Sequence, residues 1–356
     1  MEFLSEYGLF FAKTVTFVIA IGAVILLVVS AGMKNQSSEK GHLEVTKVND
    51  KFDDLSNVVK MMILDEEEIK ADQKEKKKTA KEEKKKKKAE AKNKTKDVDT
   101  TENEKRKRLF VADFDGDIKA SATEELREVV TAILSIASEG DEVVLRLESS
   151  GGMVHSYGLA ASQLRRITAS NIPLTVCVDK VAASGGYMMA CVAHKIVSAP
   201  FAIIGSIGVV AQLPNFHRLL KKHDVDYEIL TAGEYKRTLT MFGENTDKGR
   251  EKFSEDLEDT HELFKDFISE NRDKVDVESV ATGEIWFGTR ALEKNLVDQL
   301  DTSDQYLFNL KDDHDIFELK FVHKKSMAEK IGINVEHAVD RAMTRAMQSM
   351  NTRFFS

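Results

Sequence analysis

The central part of the chain alternates between short apolar runs and longer segments with helical spacing. Apolar runs at 109–112, 142–147 and 174–178 predict strands, and further extended segments lie at 195–198 and 227–230. Segments 123–137, 154–167 and 184–193 predict helices, and the first places five apolar residues on one side, namely Leu126, Val129, Val130, Ile133 and Leu134. Strands that alternate with helices predict an α/β fold of parallel β-α units, extending over 109–300.

An uncharged apolar run at 14–33 precedes this region. About 20 helical residues span the hydrocarbon core of a bilayer, so the run predicts a membrane anchor over 1–34. A cleaved signal peptide is the alternative, since Val29-Ser30-Ala31 suits a small-residue cleavage site. The flank before the run has Lys13 as its one basic residue, which makes a poor leader and favours the anchor.

Lysines crowd the next segment, 35–108, and aromatic residues are nearly absent from it. Such a composition cannot bury a core, and it predicts a solvated linker with a short helix within 45–64. A polybasic arm that touches anionic lipid headgroups is the alternative. The lysines directly after the apolar run would hold the rest of the chain in the cytoplasm by the positive-inside rule, although that rule weakens when a long domain follows.

The last segment, 301–356, is predicted to be a helical tail. Its apolar residues between 326 and 350 recur at helical spacing. This pattern suits an ordinary packing helix or a contact between subunits.

Composition narrows the class of protein. A net charge of −8 does not indicate a nucleic-acid binder, and we expect neither a metal nor a cofactor. Cys177 and Cys191 both lie in apolar runs and are interpreted as small core residues, although a disulfide between them stays open.

A glycine-rich turn around Ser184 has the surroundings that a serine nucleophile needs. The residue stands between Ala182-Ala183 and Gly185-Gly186, where a predicted strand gives way to a helix. Small neighbours leave the hydroxyl accessible, and the Gly185 N–H lies at a helix N-terminus, where it has no partner in the helix. An N-cap serine in a plain turn is the alternative.

A second turn, Ser149-Ser150-Gly151-Gly152, also ends a strand and opens a helix. Its glycines let a substrate backbone pass closely, and the Gly152 N–H is a candidate second oxyanion donor. Because the carboxyl ends of parallel strands meet at one edge of a sheet, we expect both turns to face one crevice.

The residues alone do not select the base that would activate Ser184. His194 comes ten residues later, about 15 Å along an unbroken helix. His155 follows the second turn and is a better rival. Lys236 is a further candidate, because burial lowers the pKa of a lysine, but by composition alone it is a surface residue.

Five motifs in the same order resemble the signal peptide peptidase A family of serine peptidases, over about 110–300. They are Ser149-Ser150-Gly151-Gly152, Ala183-Ser184-Gly185-Gly186-Tyr187, Gly205-Ser206-Ile207-Gly208-Val209, Gly233-Glu234-Tyr235-Lys236, and a closing signature formed by Thr282-Gly283 with Leu296-Val297-Asp298. One departure is Ser150, which stands where the family usually has proline, and which loosens the turn without removing either glycine.

The resemblance implies a Ser/Lys endopeptidase. Ser184 would be the nucleophile and Lys236 its base, Gly152 and Gly185 would supply the oxyanion donors, and Ser206 would position the lysine unless it is only a turn residue. The implied fold is the crotonase/ClpP-like superhelix of β-α units.

The resemblance also implies a homo-oligomer whose full site needs a neighbouring subunit. The implied substrates are peptides, including signal-peptide remnants, cut at the periplasmic face of a bacterial inner membrane. A crotonase-type acyl-CoA enzyme and a catalytically silent membrane scaffold are the alternatives.

Overall fold

The computed structural model describes residues 41–65 and 106–322, together with residues 8, 11, 13–17, 67, 68 and 74. The chain divides into a unit of Glu44–Lys320 and a unit of Met1–Leu43 with Phe321–Ser356. Its strands are β1 His42–Lys47, β2 Lys107–Gly116, β3 Glu142–Ser149, β4 Leu174–Val178, β5 Val181–Ala183, β6 Lys195–Ser198, β7 Ile203–Gly205, β8 Ile285–Phe287, β9 Gln299–Leu300 and β10 His314–Val322. Its helices are α1 Val48–Ile63, α2 Thr123–Ile136, α3 Val154–Ala169, α4 Gly185–Ala190, α5 His217–Lys222, α6 Asp247–Asn271, α7 Val277–Val280, α8 Gly288–Glu293 and α9 Ser303–Leu310.

The strands form a sheet in the order β1-β10-β2-β3-β4-β6-β9, and a branch β3-β5-β7-β8 leaves it at the end of β3. The pairs β2–β3, β3–β4, β4–β6, β3–β5 and β5–β7 are parallel, whereas β7 and β8 are antiparallel. The branch is what positions the site, because it brings the carboxyl ends of β3, β5 and β7 side by side.

Apolar burial explains these elements. β4 is buried along its whole length, as expected for a central parallel strand covered on both faces. The inner face of α2 buries Leu126, Val129, Val130 and Ile133, while Leu134 is half-buried. The prediction of an α/β fold of parallel β-α units is confirmed.

One predicted element was too long and another was wrong. The helix expected over 184–193 ends at Ala190, because the chain turns there to enter β6. The strand expected at 227–230 is irregular chain in the structure. Its residues are exposed and have no strand beside them, so their apolar run has no sheet to join.

Regular structure also extends beyond the segment 109–300. Within 35–108, α1 packs Val48 and Phe52 against buried side chains of β2 and β3. The Asn49 side chain accepts from the Ile316 N–H at 2.7 Å and donates to the carbonyls of Lys311 and His314 at 2.9 Å each. Within 301–356, β10 pairs in parallel with β2. The expected helix at 326–350 lies outside the described residues.

The membrane segment expected at 14–33 also lies mostly outside the described residues, of which 14–17 are helical. Within the part of the chain that is described, no helix has the length and apolar character needed to cross a bilayer.

Candidate active site

The candidate site lies at the carboxyl edge of the branch strands. In the parallel registers, Ser149 pairs with Ala182, and Ala183 pairs with Gly205. The turns that follow β3, β5 and β7 are therefore neighbours. These turns carry Gly152, Ser184 and Ser206, respectively.

Ser184 adopts a backbone conformation that is rare for a residue with a side chain. Its φ is 52° and its ψ is −117°. Its N–H donates to the Gly205 carbonyl at 2.7 Å, and its own carbonyl accepts from the Met188 N–H at 3.0 Å in α4. The chain therefore reverses between β5 and α4, and the half-buried side chain stands at the tip. A strained strand-to-helix turn of this kind exposes the nucleophile in several hydrolases.

Ser184, Gly185 and Gly152 line one cleft, which encloses about 260 Å³ of empty space including its open mouth. The other lining residues are mostly apolar: Val154, Met188, Gly208, Val209, Thr260 and Phe264. Among the residues that the structure describes, none accepts a hydrogen bond from the Gly152 or Gly185 N–H. The expectation that both turns face one crevice is met, and two N–H donors without an acceptor in the described part of the chain stand beside the Ser184 side chain.

The two turns are in close contact, and this contact requires glycine. A Cβ on Gly151 would lie 2.7 Å from the Gly185 nitrogen and 2.8 Å from the Ser184 Cβ. Gly151 also has a φ of 88°, in the left-handed region. A Cβ on Gly152 would lie 2.1 Å from the Ile118 carbonyl oxygen.

A buried hydroxyl pair lies beneath the turns. The Tyr157 hydroxyl is 2.6 Å from Ser149 Oγ and donates to the Asp117 carbonyl at 2.7 Å, while Ser149 Oγ accepts from the Gly151 N–H at 3.0 Å. Sequence reasoning missed Tyr157. Helical spacing could have found it, since Tyr157 precedes the buried Ala160, Ala161 and Leu164 on one face of α3.

Ser206 follows the carbonyl that holds Ser184 in place. It is half-buried with a φ of 50°, and its N–H donates to the Glu284 carbonyl at 2.7 Å. The residue after it is also held in place, because the Gly283 N–H donates to the Ile207 carbonyl at 3.0 Å. Two adjacent strands thus each end in a left-handed serine.

Lys236 is not among the residues that line the cleft. It is exposed in an irregular loop, and its N–H donates to the Gly233 carbonyl at 3.2 Å. The loop is closed by Asn215, whose side chain donates to the carbonyls of Thr240 at 2.9 Å and Gly243 at 3.0 Å. The structure of one chain therefore does not bring Lys236 to Ser184.

Neither of the two candidate histidines lines the cleft. His155 is exposed and does not line the cleft. His194 accepts from the Leu174 N–H through Nδ1 at 3.1 Å, at the amino end of β4. That end lies on the opposite edge of the sheet from the carboxyl ends that form the site. His194 is therefore a structural residue of that edge.

Cysteine chemistry is also remote from the cleft. Cys177 and Cys191 are buried, as their apolar runs predicted, and they form no disulfide. Burial raises the pKa of each thiol to about 12, so neither is a thiolate at neutral pH. Within the described residues, no group of three His, Cys, Asp or Glu side chains could hold a metal ion.

Family models match nearly the whole chain. The model described as peptidase family S49 N-terminal matches residues 2–164, and the model described as peptidase family S49 matches residues 166–316.

Curated relatives match over the same length. A protein of Haemophilus influenzae named "Probable protease SohB" is 50% identical over 337 residues, which is 95% of this chain and 94% of that protein. A protein of the same name from Buchnera aphidicola subsp. Acyrthosiphon pisum is 48% identical and covers 97% of this chain and 98% of its own. Among solved structures, a mutant 1510-N membrane-bound stomatin-specific protease with a substrate peptide covers 65% of this chain and 98% of its own, at 12% identity and a TM-score of 0.40.

Proposed function

The chain belongs to peptidase family S49, and on that premise we propose that it is a serine endopeptidase with Ser184 as nucleophile and Lys236 as general base. One observation carries the proposal: the strained Ser184 shares a cleft with the free N–H groups of Gly152 and Gly185. Preorganised donors of this kind supply the largest single term in many acyl transfers.

The proposed reaction follows from this geometry. Ser184 Oγ attacks the peptide carbonyl while its proton passes to the neutral Lys236 amine, and the oxyanion accepts from the Gly152 and Gly185 N–H groups. Collapse of the intermediate breaks the C–N bond, and the ammonium returns the proton to the leaving amine. Water then attacks the acyl-enzyme by the same route, which restores Ser184 and releases the acid.

The exposed position of Lys236 supports a site that two copies complete. The loop that carries it, with its flanks over 209–245, exposes many large apolar side chains, among them Val210, Leu219, Val225, Tyr227, Leu230 and Tyr235. Such a surface is typical of an interface between subunits. Packed against a neighbouring copy, the lysine amine would lose its contact with water, and burial of this kind disfavours the charged form of an amine. Ser206, at the carboxyl end of β7, is the proposed hydrogen-bond partner that positions the amine.

The cleft also bears on the substrate. Val154, Met188, Val209 and Phe264 give it an apolar lining, which suits peptides with apolar side chains such as signal-peptide remnants. We include in the proposal the single-pass anchor at 14–33 in a bacterial inner membrane, a periplasmic catalytic domain, and assembly of crotonase/ClpP-like units.

The test uses the full chain and two inactive variants. Ser184→Ala and Lys236→Ala are each expected to abolish cleavage of an apolar fluorogenic peptide. Reassembled as an equal mixture, they are expected to recover about a quarter of native activity, because a random heterologous interface pairs an intact Ser184 with an intact Lys236 that often. Lys248→Ala is the matched control, since this exposed lysine in an ion pair with Glu234 should be dispensable.

Each outcome has one meaning. Full activity of Lys236→Ala contradicts the proposed base. An inactive mixture of two inactive variants keeps the Ser/Lys pair but contradicts its sharing between copies. A native oligomer without peptidase activity contradicts the proposed function and favours a catalytically silent scaffold. The exposure of Lys236 is the observation that favours this alternative.

A further inference from the structure

The hydroxyl pair beneath the site forms a hydrogen-bond chain whose direction is fixed at every step. The Asp117 carbonyl can only accept, so the Tyr157 hydroxyl donates to it at 2.7 Å. Tyr157 has then used its proton, so the contact of 2.6 Å with Ser149 has Ser149 as donor. The Gly151 N–H in turn donates to Ser149 Oγ at 3.0 Å. The chain thus runs one way, from Gly151 through Ser149 and Tyr157 to Asp117.

Burial keeps this chain intact. Ser149 is 2% exposed and Tyr157 is fully buried. Burial raises the pKa of the Tyr157 hydroxyl, against the opposing effect of its hydrogen bond to Ser149, so the phenol remains a donor through the neutral range. A buried hydroxyl without a partner is costly, and here each hydroxyl both donates and accepts.

The hydrogen-bond chain begins next to the proposed oxyanion donor, Gly152. The Gly151 N–H is pinned by Ser149 on one side, and the Met153 N–H is pinned to the Ile118 carbonyl at 2.9 Å on the other. Between these two fixed peptides stands the Gly152 N–H, which donates to no acceptor among the residues that the structure describes. Glycine has wide freedom in φ and ψ, so the direction of the Gly152 N–H depends on the hydrogen bonds of the neighbouring Gly151 and Met153 N–H groups.

The ring of Tyr157 touches the other donor. A Cβ on Gly185 would lie 2.4 Å from Tyr157 Cγ, so the ring lies directly against the Gly185 backbone. One side chain therefore supports both oxyanion turns, one with its hydroxyl and the other with its ring.

We propose that Tyr157 and Ser149 are positioning residues of the oxyanion hole, which act by holding the Gly152 N–H on the reacting carbonyl oxygen. The inference rests on the proposed function, since it assigns Gly152 as an oxyanion donor. Both hydroxyls are buried, and neither residue lines the cleft. Their effect is confined to the transition state, where the oxyanion exists, and leaves ground-state peptide binding unchanged.

The central variant is Tyr157→Phe, which keeps the ring against Gly185 and removes only the hydroxyl. We expect kcat to fall about 10- to 100-fold, less than the loss for removing an oxyanion donor outright, with KM within about twofold of native. Affinity for a peptide aldehyde, whose hemiacetal carries an oxyanion, should fall by the same factor as kcat/KM. Ser149→Ala should show the same changes in kcat, KM and aldehyde affinity. The double variant should lose no more activity than either single variant, because both substitutions interrupt the same hydrogen-bond chain.

Tyr306→Phe is the matched control. Its hydroxyl bonds to Thr175 at 3.3 Å near the amino end of β4, on the opposite edge of the sheet from the site turns, and its loss should leave kcat and aldehyde affinity unchanged. Thermal unfolding of every variant checks that the fold is intact. If Tyr157→Phe does not fold, Ser149→Ala carries the test alone.

A direct readout separates this inference from the proposed function. Hydrogen exchange at the Gly151 amide should be at least about tenfold faster in Tyr157→Phe than in the native protein, whether or not the protein cuts peptides. Unchanged exchange at the Gly151 amide would overturn the inference. So would native kcat and aldehyde affinity in Tyr157→Phe, provided that Ser184→Ala abolishes cleavage. Either result would leave the proposed peptidase function intact. A native protein without peptidase activity overturns the function instead.

Discussion

Arg272 carries its charge into the interior, with a side chain that is 6% exposed. Its guanidinium donates to both Asp298 carboxylate oxygens, at 2.8 and 3.0 Å, and to the Asn295 carbonyl at 2.8 Å. Asp298 also accepts from the Ile196 N–H at 2.7 Å and so ties the end of α6 to β6. The last residue of the closing signature is therefore structural rather than catalytic.

Asp298→Ala would leave the Arg272 charge buried without a partner. We expect the free energy of unfolding to fall by about 3 kcal/mol or more, since breaking one side of a buried pair strands the other charge. Urea unfolding measures the loss. Glu293→Ala is the control, because its partner Arg290 is exposed and such pairs are worth at most about 1 kcal/mol. Equal losses would show that Arg272 finds water or another acceptor.

Residue identity predicted part of this site. Ser184 and the glycines could be proposed because two glycine-rich turns follow predicted parallel strands, whose carboxyl ends meet at one edge of a sheet, although each turn alone also fits a plain N-cap. Helical spacing places Tyr157 on the buried face of α3, but it gives no sign of which groups the hydroxyl bonds to. The left-handed φ of Ser184 was equally invisible, because it results from the packing of β5 against β7.

Elements were predicted best where burial decided them. β4 matches its apolar run because it is covered on both faces, and α2 follows its apolar stripe. Residues 227–230 have a similar local pattern without a neighbouring strand, and they form no strand. The contact between the turns after β3 and β5 could not be predicted from a local pattern, because it depends on two elements that are remote in sequence.

Gly151→Ala tests that contact. The added Cβ would meet the Gly185 nitrogen at 2.7 Å and the Ala183 carbonyl oxygen at 2.8 Å, which must push the two turns apart. Gly140→Ala is a close control, since its φ of 89° matches the 88° of Gly151 but nothing lies within 4 Å of its Cβ.

Both variants should lose about 1–2 kcal/mol from left-handed strain, measured by urea unfolding. Peptide cleavage should fall at least about tenfold in Gly151→Ala alone, because a small displacement of a catalytic group has a large effect on rate. Equal activity in the two variants would contradict the claim that the turns depend on each other.

At the scale of the whole molecule, the exposed apolar loop is the unexplained surface. Leu230 is 93% exposed, and the strand predicted over 227–230 is absent from the structure. Sequence reasoning placed Lys236 in the site only through family resemblance, and the single chain leaves it outside the cleft. No local pattern could have shown this, since it depends on what the loop packs against.

Leu230→Asp should therefore disrupt assembly. A charge in the centre of an apolar interface is costly, so sedimentation velocity should show a smaller species with lower specific activity. Met62→Asp is the control, an equally exposed apolar residue at the end of α1. Unchanged sedimentation of Leu230→Asp would remove the loop from any interface.

The strained backbone of Ser184 has a consequence for how such a chain can change over time. A glycine would adopt a φ of 52° and a ψ of −117° without strain, so the position is one where the folded protein pays for its side chain. A selection for heat resistance that ignores cutting would favour glycine here, and it would erase the hydroxyl in doing so. With Ser184 as the proposed nucleophile, durability and catalysis compete at this single codon, and the serine persists only while cleavage is under selection.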